Sequence, residues 1–254
     1  MFSLTISTPF YNEEEGIDYY IDTLKKILDI IPKSIKVSII WINDGSADNT
    51  LKILNEKKKL FLSNEIKIIS HKKNYGYGRT LINSIRQSNT DYFITYDSDC
   101  CYNYKIILEL INNVINEKSD IVNVSYKLAK KKMKVSLFRN FLAISSIQIY
   151  KILFKNLRKH NLTYFNCSFR IYKLEIIKDI ELQSDDFNAC AEILVKSAEK
   201  NIKISEIAGE NIGRNFGKSK MKIIQNIYHS LLTIFRMRLK LNSERKFINE
   251  YEIM

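Results

Sequence analysis

Residues 92–99 read Tyr-Phe-Ile-Thr-Tyr-Asp-Ser-Asp, a short apolar run that ends in two acids. A run of this length and composition is typical of a strand that is buried inside a sheet. Segments with helical spacing of apolar residues separate it from comparable runs at 3–9, 37–42, 66–70 and 121–125. Because strands alternate with helices over residues 1–126, we predict an α/β fold with a mostly parallel sheet and flanking helices.

Polar residues follow the predicted strands at the places where a parallel sheet binds ligands. In such sheets the ligand lies beyond the carboxyl ends of the strands. After strands one, two and four the chain carries Tyr11, Asn12 and Glu13, then Asp44, then Asp97 and Asp99. We therefore expect a ligand site at this edge of the sheet.

Asp97 and Asp99 are candidate ligands for one hard divalent cation. Two carboxylates that stand two residues apart after a buried strand can reach the same ion and leave positions open for phosphate oxygens, which suits Mg²⁺ or Mn²⁺. An Asp-Ser-Asp sequence is also common in solvated turns. For the pair by itself, both interpretations therefore stay open.

The net charge of +12 is concentrated in two basic segments. Residues 127–160 hold ten Lys or Arg and no acid, and residues 214–246 hold nine Lys or Arg and one acid. Basic ends around the apolar stretch 135–154 are typical of a helix in a membrane interface; the alternative is a core helix with solvated flanks. Residues 221–235 have the spacing of another amphipathic helix, which packing on the domain explains equally well. Neither segment interleaves Gly with aromatic residues, so a nucleic acid is not the expected partner.

Several classes of protein are excluded by what the chain lacks. The four Cys form no CxxC pair and the three His have no metal-binding spacing, so we expect a reduced protein without a His-based metal site. No uncharged apolar stretch reaches the length of about 18 residues that a membrane-spanning helix needs. Neither a P-loop nor a G-x-G-x-x-G motif is present, which argues against kinases and dehydrogenases.

Seven stretches, taken in order, carry a resemblance to a known family. They are Thr-Pro-Phe-Tyr-Asn-Glu-Glu-Glu (8–15), Trp-Ile-Asn-Asp-Gly-Ser-Ala-Asp-Asn-Thr (41–50), Asn-Tyr-Gly-Tyr-Gly-Arg (74–79), Asp-Ser-Asp (97–99), Cys-Ser-Phe-Arg-Ile-Tyr-Lys (167–173), Glu-Ile-Leu (192–194) and Arg-Asn-Phe-Gly-Lys-Ser-Lys (214–220). Over residues 3–235 the chain resembles the family 2 glycosyltransferases, and the last stretch resembles their polyprenyl-phosphate, dolichyl-phosphate mannose synthase-like branch. The resemblance implies a GT-A fold with a Rossmann-like nucleotide-sugar site. It also implies a metal-dependent, inverting hexosyltransferase.

The same resemblance implies roles for individual residues. The nucleoside-binding positions of the family correspond to Pro9, Tyr11, Glu13, Ile42 and Asp44. The resemblance implies that Asp97, Ser98 and Asp99 bind the ribose, the metal ion and the diphosphate of the donor. Asp97 and Asp99 are implied to be the ligands of Mg²⁺ or Mn²⁺. Arg214 and Lys220 are implied to pair with the donor phosphates, where negative charge grows as the sugar leaves. Taken alone, Asp44 is also an ordinary turn residue, and the two basic residues could lie in a solvated loop.

The acceptor decides whether the reaction requires a base. A lipid phosphate is already anionic near neutral pH, whereas a sugar hydroxyl needs a carboxylate to take its proton. The family position for this acid corresponds to Asp185 or Asp186, a pair that is also typical of a loop or helix cap. Glu192 is the second candidate, because it matches a family acid that faces the site.

Three positions depart from the polyprenyl-phosphate branch. Cys101 stands where that branch commonly has an oxygen ligand; a thiol is a poor ligand for Mg²⁺, and water is the alternative ligand there. Ser125 stands where the branch has an Arg, and Tyr164 near the place of an acid. The departures concern the acceptor more than the donor. Polyprenyl phosphate and a lipid-linked or cell-surface glycan therefore both stay open as acceptors.

We interpret the chain as four segments. Residues 1–126 form the nucleotide-sugar-binding half, and residues 127–160 form a basic amphipathic segment that contacts the membrane or the acceptor. Residues 161–220 form the acceptor half with a phosphate-binding loop. Residues 221–254 form an amphipathic helix with a polar tail. This organisation predicts a cytoplasmic protein that binds peripherally to the inner face of the membrane. The alternative is a non-catalytic membrane- or RNA-binding protein on a degenerate GT-A scaffold. Because both acids of the Asp-Ser-Asp motif are present, we favour the enzyme.

Overall fold

The structure is a computed structural model that describes residues 2–130, 137–214, 216, 223–239 and 251–254. Its strands are β1 (Ser3–Phe10), β2 (Lys36–Asn43), β3 (Glu65–His71), β4 (Tyr92–Thr95), β5 (Ile121–Ser125), β6 (Arg170–Lys173), β7 (Ile204–Ala208) and β8 (Tyr251–Ile253). Its helices are α1 (Ile17–Ile30), α2 (Thr50–Lys58), α3 (Tyr77–Gln87), α4 (Ile106–Asn116), α5 (Leu137–Leu153), α6 (Leu174–Lys178), α7 (Ala189–Glu199) and α8 (Ile223–Arg238). A 3₁₀ helix covers Lys155–His160.

The strands form one mostly parallel sheet in the order β7-β5-β6-β4-β1-β2-β3-β8. β1 runs parallel to β2 and β4, β2 to β3, and β5 to β7, while β6 lies antiparallel between β4 and β5. β8 adds antiparallel to β3 at the edge. The predicted α/β fold is confirmed, and β6 and β7 join the second half of the chain to the sheet of residues 1–126.

Two clusters of buried apolar side chains explain why the strands are apolar on both faces. The first packs α1 and α4 against the sheet and contains Trp41, which has no exposed surface. The Trp41 indole N–H donates to the Tyr20 hydroxyl at 3.0 Å, so its one polar atom is satisfied. The second cluster packs α3, α5, α6 and α7.

The basic segment has two different sides. Helix α5 packs on the second cluster through Ile147 and Tyr150, and it leaves Ile144, Ile149 and Ile152 exposed. The core-helix interpretation describes the side with Ile147 and Tyr150, and contact of the other side with a membrane stays a prediction. Within the described residues, no helix is both long enough and apolar enough to cross a membrane.

Candidate functional site

The ends of three strands meet at one edge of the sheet. β1 and β2 stay in register to their last residues, and the Asp44 N–H donates to the Phe10 carbonyl at 2.8 Å. The Tyr96 N–H donates to the Ser7 carbonyl at 2.9 Å, which continues the direction of β4 up to the Asp-Ser-Asp motif. The segments that follow β1, β2 and β4 consequently share this edge, as expected for a parallel sheet.

Asp97, Asp99 and Cys101 form a cluster whose ligand atoms all lie within 4.8 Å of one another. Burial of the carboxyl group, and then the negative charge of Asp99, raise the pKa of Asp97 to about 7. The Ser168 hydroxyl donates to Asp97 Oδ2. Ser98, which stands between the two acids in the sequence, is buried. Because such close carboxylates repel each other unless a cation lies near them, the oxygens and the thiol make a donor set that fits a divalent metal ion.

Arg214 brings positive charge to this cluster from a distant part of the chain. Its Nη1 lies 3.1 Å from Glu13 Oε1, and its Nη2 lies 3.2 Å from Asp99 Oδ2. A residue implied to bind the donor phosphates thus contacts two other residues with implied donor or metal roles. Lys220, the other residue with this implied role, lies outside the described residues.

Asp44 is buried, and its carboxylate holds the loop that follows β3. Its Oδ1 accepts from Tyr75 N–H at 2.9 Å and lies 2.7 Å from His71 Nδ1, and its Oδ2 accepts from Gly76 N–H at 2.8 Å. The far nitrogen of His71 lies 2.9 Å from the Asn83 side-chain amide, so the ring is fixed on both sides. Asp44 therefore has a larger structural role than that of an ordinary turn residue.

The remaining nucleoside-binding candidates lie in β1 and β2 or directly after β1. Pro9 pairs with Ile42 across β1 and β2, and Pro9 and Tyr11 are half-buried. The Ile42 side chain has no exposed surface and packs with Ile40 and Ile69. Ile42 therefore offers no accessible surface to a ligand, and its predicted contact with the base stays a prediction.

Two glycines allow the loop after β3 to touch the loop that carries the predicted bases. A Cβ on Gly76 would lie 2.4 Å from the Asp185 carbonyl oxygen, and a Cβ on Gly78 would lie 2.0 Å from that of Ser184. Gly76 also has a φ of +92°, which an L side chain rarely adopts. The Gly78 N–H donates to the Asp185 carbonyl at 2.7 Å, so the two loops form one backbone contact.

Asp185 and Asp186 are both accessible, but each already has a partner. Asp185 has 52% of its side chain exposed, and its Oδ1 lies 3.0 Å from Arg79 Nη2. Asp186 accepts from the Asn188 side-chain amide at 2.9 Å, and its Oδ2 lies 2.7 Å from His229 Nδ1. His229 was missed in the sequence because a lone His on an amphipathic helix gives no local signal.

Glu192 lies in a different environment from the two aspartates. Its carboxylate is 1% exposed and accepts from the N–H groups of Gln183 and Ser184 at 2.8 Å each. Lys196 Nζ lies 2.8 Å from Glu192 Oε1. Glu192 thus holds the loop that presents Asp185 and Asp186.

A cleft of about 410 Å³ opens beside these two aspartates. Its walls are the loop 74–76, the loop 183–186 and helix α8. From α8 it receives the side chains of His229, Leu232, Thr233 and Arg236. The cleft therefore combines acidic, basic and apolar surface next to the carboxylate pair.

Arg170 is a buried positioning residue that the sequence did not single out. It has no exposed surface and donates to Asn123 Oδ1 at 2.8 Å and to the carbonyls of Cys167 and Cys190 at 3.0 and 2.9 Å. These bonds fix the segment that presents Ser168 to the Asp-Ser-Asp motif. One Arg within the apolar stretch 167–173 was the available signal.

Comparison of the sequence with known proteins identifies one matching family. A sequence model described as "Glycosyl transferase family 2" matches residues 5–181. An undecaprenyl-phosphate 4-deoxy-4-formamido-L-arabinose transferase of Proteus mirabilis is 25% identical over 233 residues, which cover 91% of this chain and 67% of that protein. The protein of the same name from Yersinia pestis is 24% identical, with 91% of this chain and 66% of that protein covered. The chain spans about two thirds of the length of these relatives.

Solved structures share the fold at low sequence identity. Glucosyl-3-phosphoglycerate synthase from Mycobacterium tuberculosis in complex with UDP has a TM-score of 0.69 and 13% identity, covering 99% of this chain and 86% of that chain. The same enzyme with Mn²⁺, UDP and phosphoglyceric acid has a TM-score of 0.67 and 13% identity, covering 96% and 80%. TarS 1–349 of S. aureus with UDP has a TM-score of 0.62 and 17% identity, covering 96% and 67%. The GT-A fold expected from the sequence is thereby confirmed.

Proposed function

The chain belongs to glycosyl transferase family 2, and we propose that this glycosyltransferase moves a sugar from a nucleoside-diphosphate sugar to a membrane-associated acceptor, with inversion at the anomeric carbon. The cluster of Asp97, Asp99 and Arg214 at the ends of the parallel strands carries the proposal. Solved proteins of the same fold hold UDP, with or without Mn²⁺, so a UDP-sugar is the first donor to test.

We assign the donor site to the edge of the sheet. The nucleoside would lie against residues 9–13 and the segment after β2. Arg214 joins Glu13 of the first segment to Asp99, and the second segment lies beside the first through the hydrogen bond from Asp44 to Phe10. Asp97 and Asp99 would hold Mg²⁺ or Mn²⁺, and the bound ion would neutralise the diphosphate leaving group. Arg214 would exchange its contacts with Glu13 and Asp99 for the donor phosphates, because the metal ion and the diphosphate replace those charges.

The transfer is one in-line displacement. The acceptor oxygen forms a bond to the anomeric carbon while the bond from that carbon to the diphosphate oxygen breaks, and the electron pair leaves with the nucleoside diphosphate. With a lipid phosphate as acceptor, no proton has to be removed. With a hydroxyl acceptor, Asp185 or the Asp186–His229 pair takes the proton. Asp185 and Asp186 line the cleft, whereas the contacts of Glu192 favour a positioning role.

Two acceptor classes fit the site, and polyprenyl phosphate is the first to test. It is supported by the names of the two relatives, whose acceptor is undecaprenyl phosphate. Arg236 in the cleft is a cation that can face a lipid phosphate. Ser125, by contrast, is buried and its hydroxyl lies 2.8 Å from Thr163 Oγ1, in the place where the branch has an Arg. A lipid-linked or cell-surface glycan is the second acceptor to test.

The exposed apolar side of α5 supports binding to the inner face of the membrane. Ile144, Ile149 and Ile152 are exposed between the two ends of a segment with ten basic residues, which suits an anionic lipid surface. On α8, Leu231 and Phe235 are exposed near Arg236 and Arg238. Sedimentation with vesicles containing anionic lipid, but not with neutral vesicles, is the expected result.

Calorimetry with nucleotides tests the donor site directly. UDP, GDP and their common sugar conjugates are titrated into the wild type with and without Mn²⁺, and then into Asp99→Asn. Metal-dependent binding of one nucleotide that is lost in this variant supports the proposal. Asp22→Asn is the matched control, since that side chain is 69% exposed and lies on α1. If no nucleotide binds to the wild type, the proposal fails and the non-catalytic membrane- or RNA-binding alternative takes its place.

A further inference from the structure

We infer that Cys101 is itself a metal ligand, so that Asp97, Asp99 and Cys101 form a mixed oxygen and sulfur site. Such a site binds the thiophilic ions Zn²⁺, Cd²⁺ and Co²⁺ more tightly than Mg²⁺, with Mn²⁺ between them. The inference rests on the proposed function, since the same site is proposed to hold the ion of the donor diphosphate.

The three ligand atoms lie close to one another. The Cys101 sulfur, one carboxylate oxygen of Asp97 and one of Asp99 lie within 4.8 Å of one another. Neighbouring ligands of a single ion are about 3–4 Å apart, because metal–oxygen and metal–sulfur distances are about 2.0–2.3 Å. Small side-chain rotations therefore suffice for the three residues to share an ion.

The backbone fixes Cys101 beside the two acids. Cys100 has a φ of +49°, in the left-handed region, and its N–H donates to the Asp97 carbonyl at 3.1 Å. The Cys101 N–H donates to Asp99 Oδ1 at 3.1 Å, and its carbonyl accepts from Ile212 N–H at 2.8 Å. A strained residue persists only where the surroundings determine it, and here the result is a tight turn with the thiol next to the carboxylates.

The four cysteines differ in a way that supports this role. Cys100, Cys167 and Cys190 are buried, whereas Cys101 is partly exposed. A buried Cys acts as a small apolar residue, whereas a cation can reach a partly exposed thiol. Burial, and then the negative charges of Asp99 and Asp97, raise the pKa of the Cys101 thiol, so the bound ion itself has to displace the proton. On ion binding the thiol proton passes to the buffer. The chain thus places its one partly exposed thiol at the metal cluster and offers buried thiols as internal controls.

Titration of the reduced full chain with Cd²⁺ tests the inference by absorbance. A thiolate-to-metal charge-transfer band in the near ultraviolet should appear and saturate in the wild type. It should vanish in Cys101→Ser, together with a loss of about tenfold or more in Cd²⁺ affinity, because the soft ligand is gone. Cys190→Ala is the matched control and should keep the band.

Two results overturn the inference. One is Cd²⁺ binding to the wild type without the charge-transfer band, which leaves only carboxylate ligands; the other is a band that persists in Cys101→Ser. The first is read in the wild type and does not depend on how the variant folds. Nucleotide binding is followed in parallel by calorimetry. A band without any nucleotide binding would reject the proposed function alone, and nucleotide binding without a band would reject the sulfur ligand alone.

Discussion

Replacing Glu192 by Gln separates a positioning role from a catalytic one. The carboxylate accepts from two backbone N–H groups at 2.8 Å and pairs with Lys196 at 2.8 Å, all in a site that is 1% exposed. Gln keeps one carbonyl oxygen but turns an NH₂ group toward the other N–H, so one charge-assisted hydrogen bond is lost and one donor is left unsatisfied. We expect the free energy of unfolding to fall by about 2–4 kcal/mol.

Unfolding in urea, followed by the fluorescence of the single and buried Trp41, measures this loss. Below the transition, kcat should fall by less than about tenfold, whereas removal of a general base costs about 10²–10⁴-fold. The companion variant is Lys196→Met, which removes a cation that is 23% exposed but leaves the buried carboxylate with its two backbone N–H groups; it should cost about 1–3 kcal/mol. A loss of kcat of more than about a hundredfold with an unchanged unfolding midpoint would refute the positioning role and identify Glu192 as the base.

Three other changes have outcomes that follow from single contacts. Arg214→Gln removes the guanidinium from two carboxylates, so calorimetry should show Mn²⁺ alone binding about 2–5-fold tighter and UDP with Mn²⁺ about tenfold weaker. Gly78→Ala places a Cβ 2.0 Å from the Ser184 carbonyl and should lower the free energy of unfolding by about 2–3 kcal/mol in urea, whereas Gly16→Ala, whose nearest contact is 3.6 Å, should change it little. Asp97, with its pKa raised to about 7, holds a proton in the folded state that the unfolded chain has released above about pH 4. The free energy of unfolding should therefore fall as pH rises from about 4 toward about 7, which thermal unfolding at several pH values measures. Asp97→Asn should remove this pH dependence. The Mn²⁺ affinity of the wild type should rise over the same pH range, because the carboxyl loses its proton.

Local pattern was enough to predict the first five strands and the edge where the site lies. The apolar runs at 3–9, 37–42, 66–70, 92–96 and 121–125 correspond to β1 to β5, because a strand buried on both faces needs a continuous apolar run whatever surrounds it. The position of the Asp-Ser-Asp motif follows from the same pattern, since a parallel sheet collects the carboxyl ends of its strands on one side.

Partners that are distant in sequence determine which acidic side chains are accessible to a substrate. The Asp44 carboxylate contacts His71 and accepts hydrogen bonds from the loop after β3, and Arg214 contacts Glu13, which is 201 residues away in sequence. Glu192 turns toward the backbone of a loop that no local spacing ties to it, while Asp186 faces His229. Hydrogen-bond partners of this kind are set by how the chain packs. Local sequence therefore specifies the first five strands and the carboxylate pair, because strand burial and strand ends are local properties. Which carboxylates anchor loops and which line the cleft depends on the packed structure, because burial and pairing require side chains from both halves of the chain.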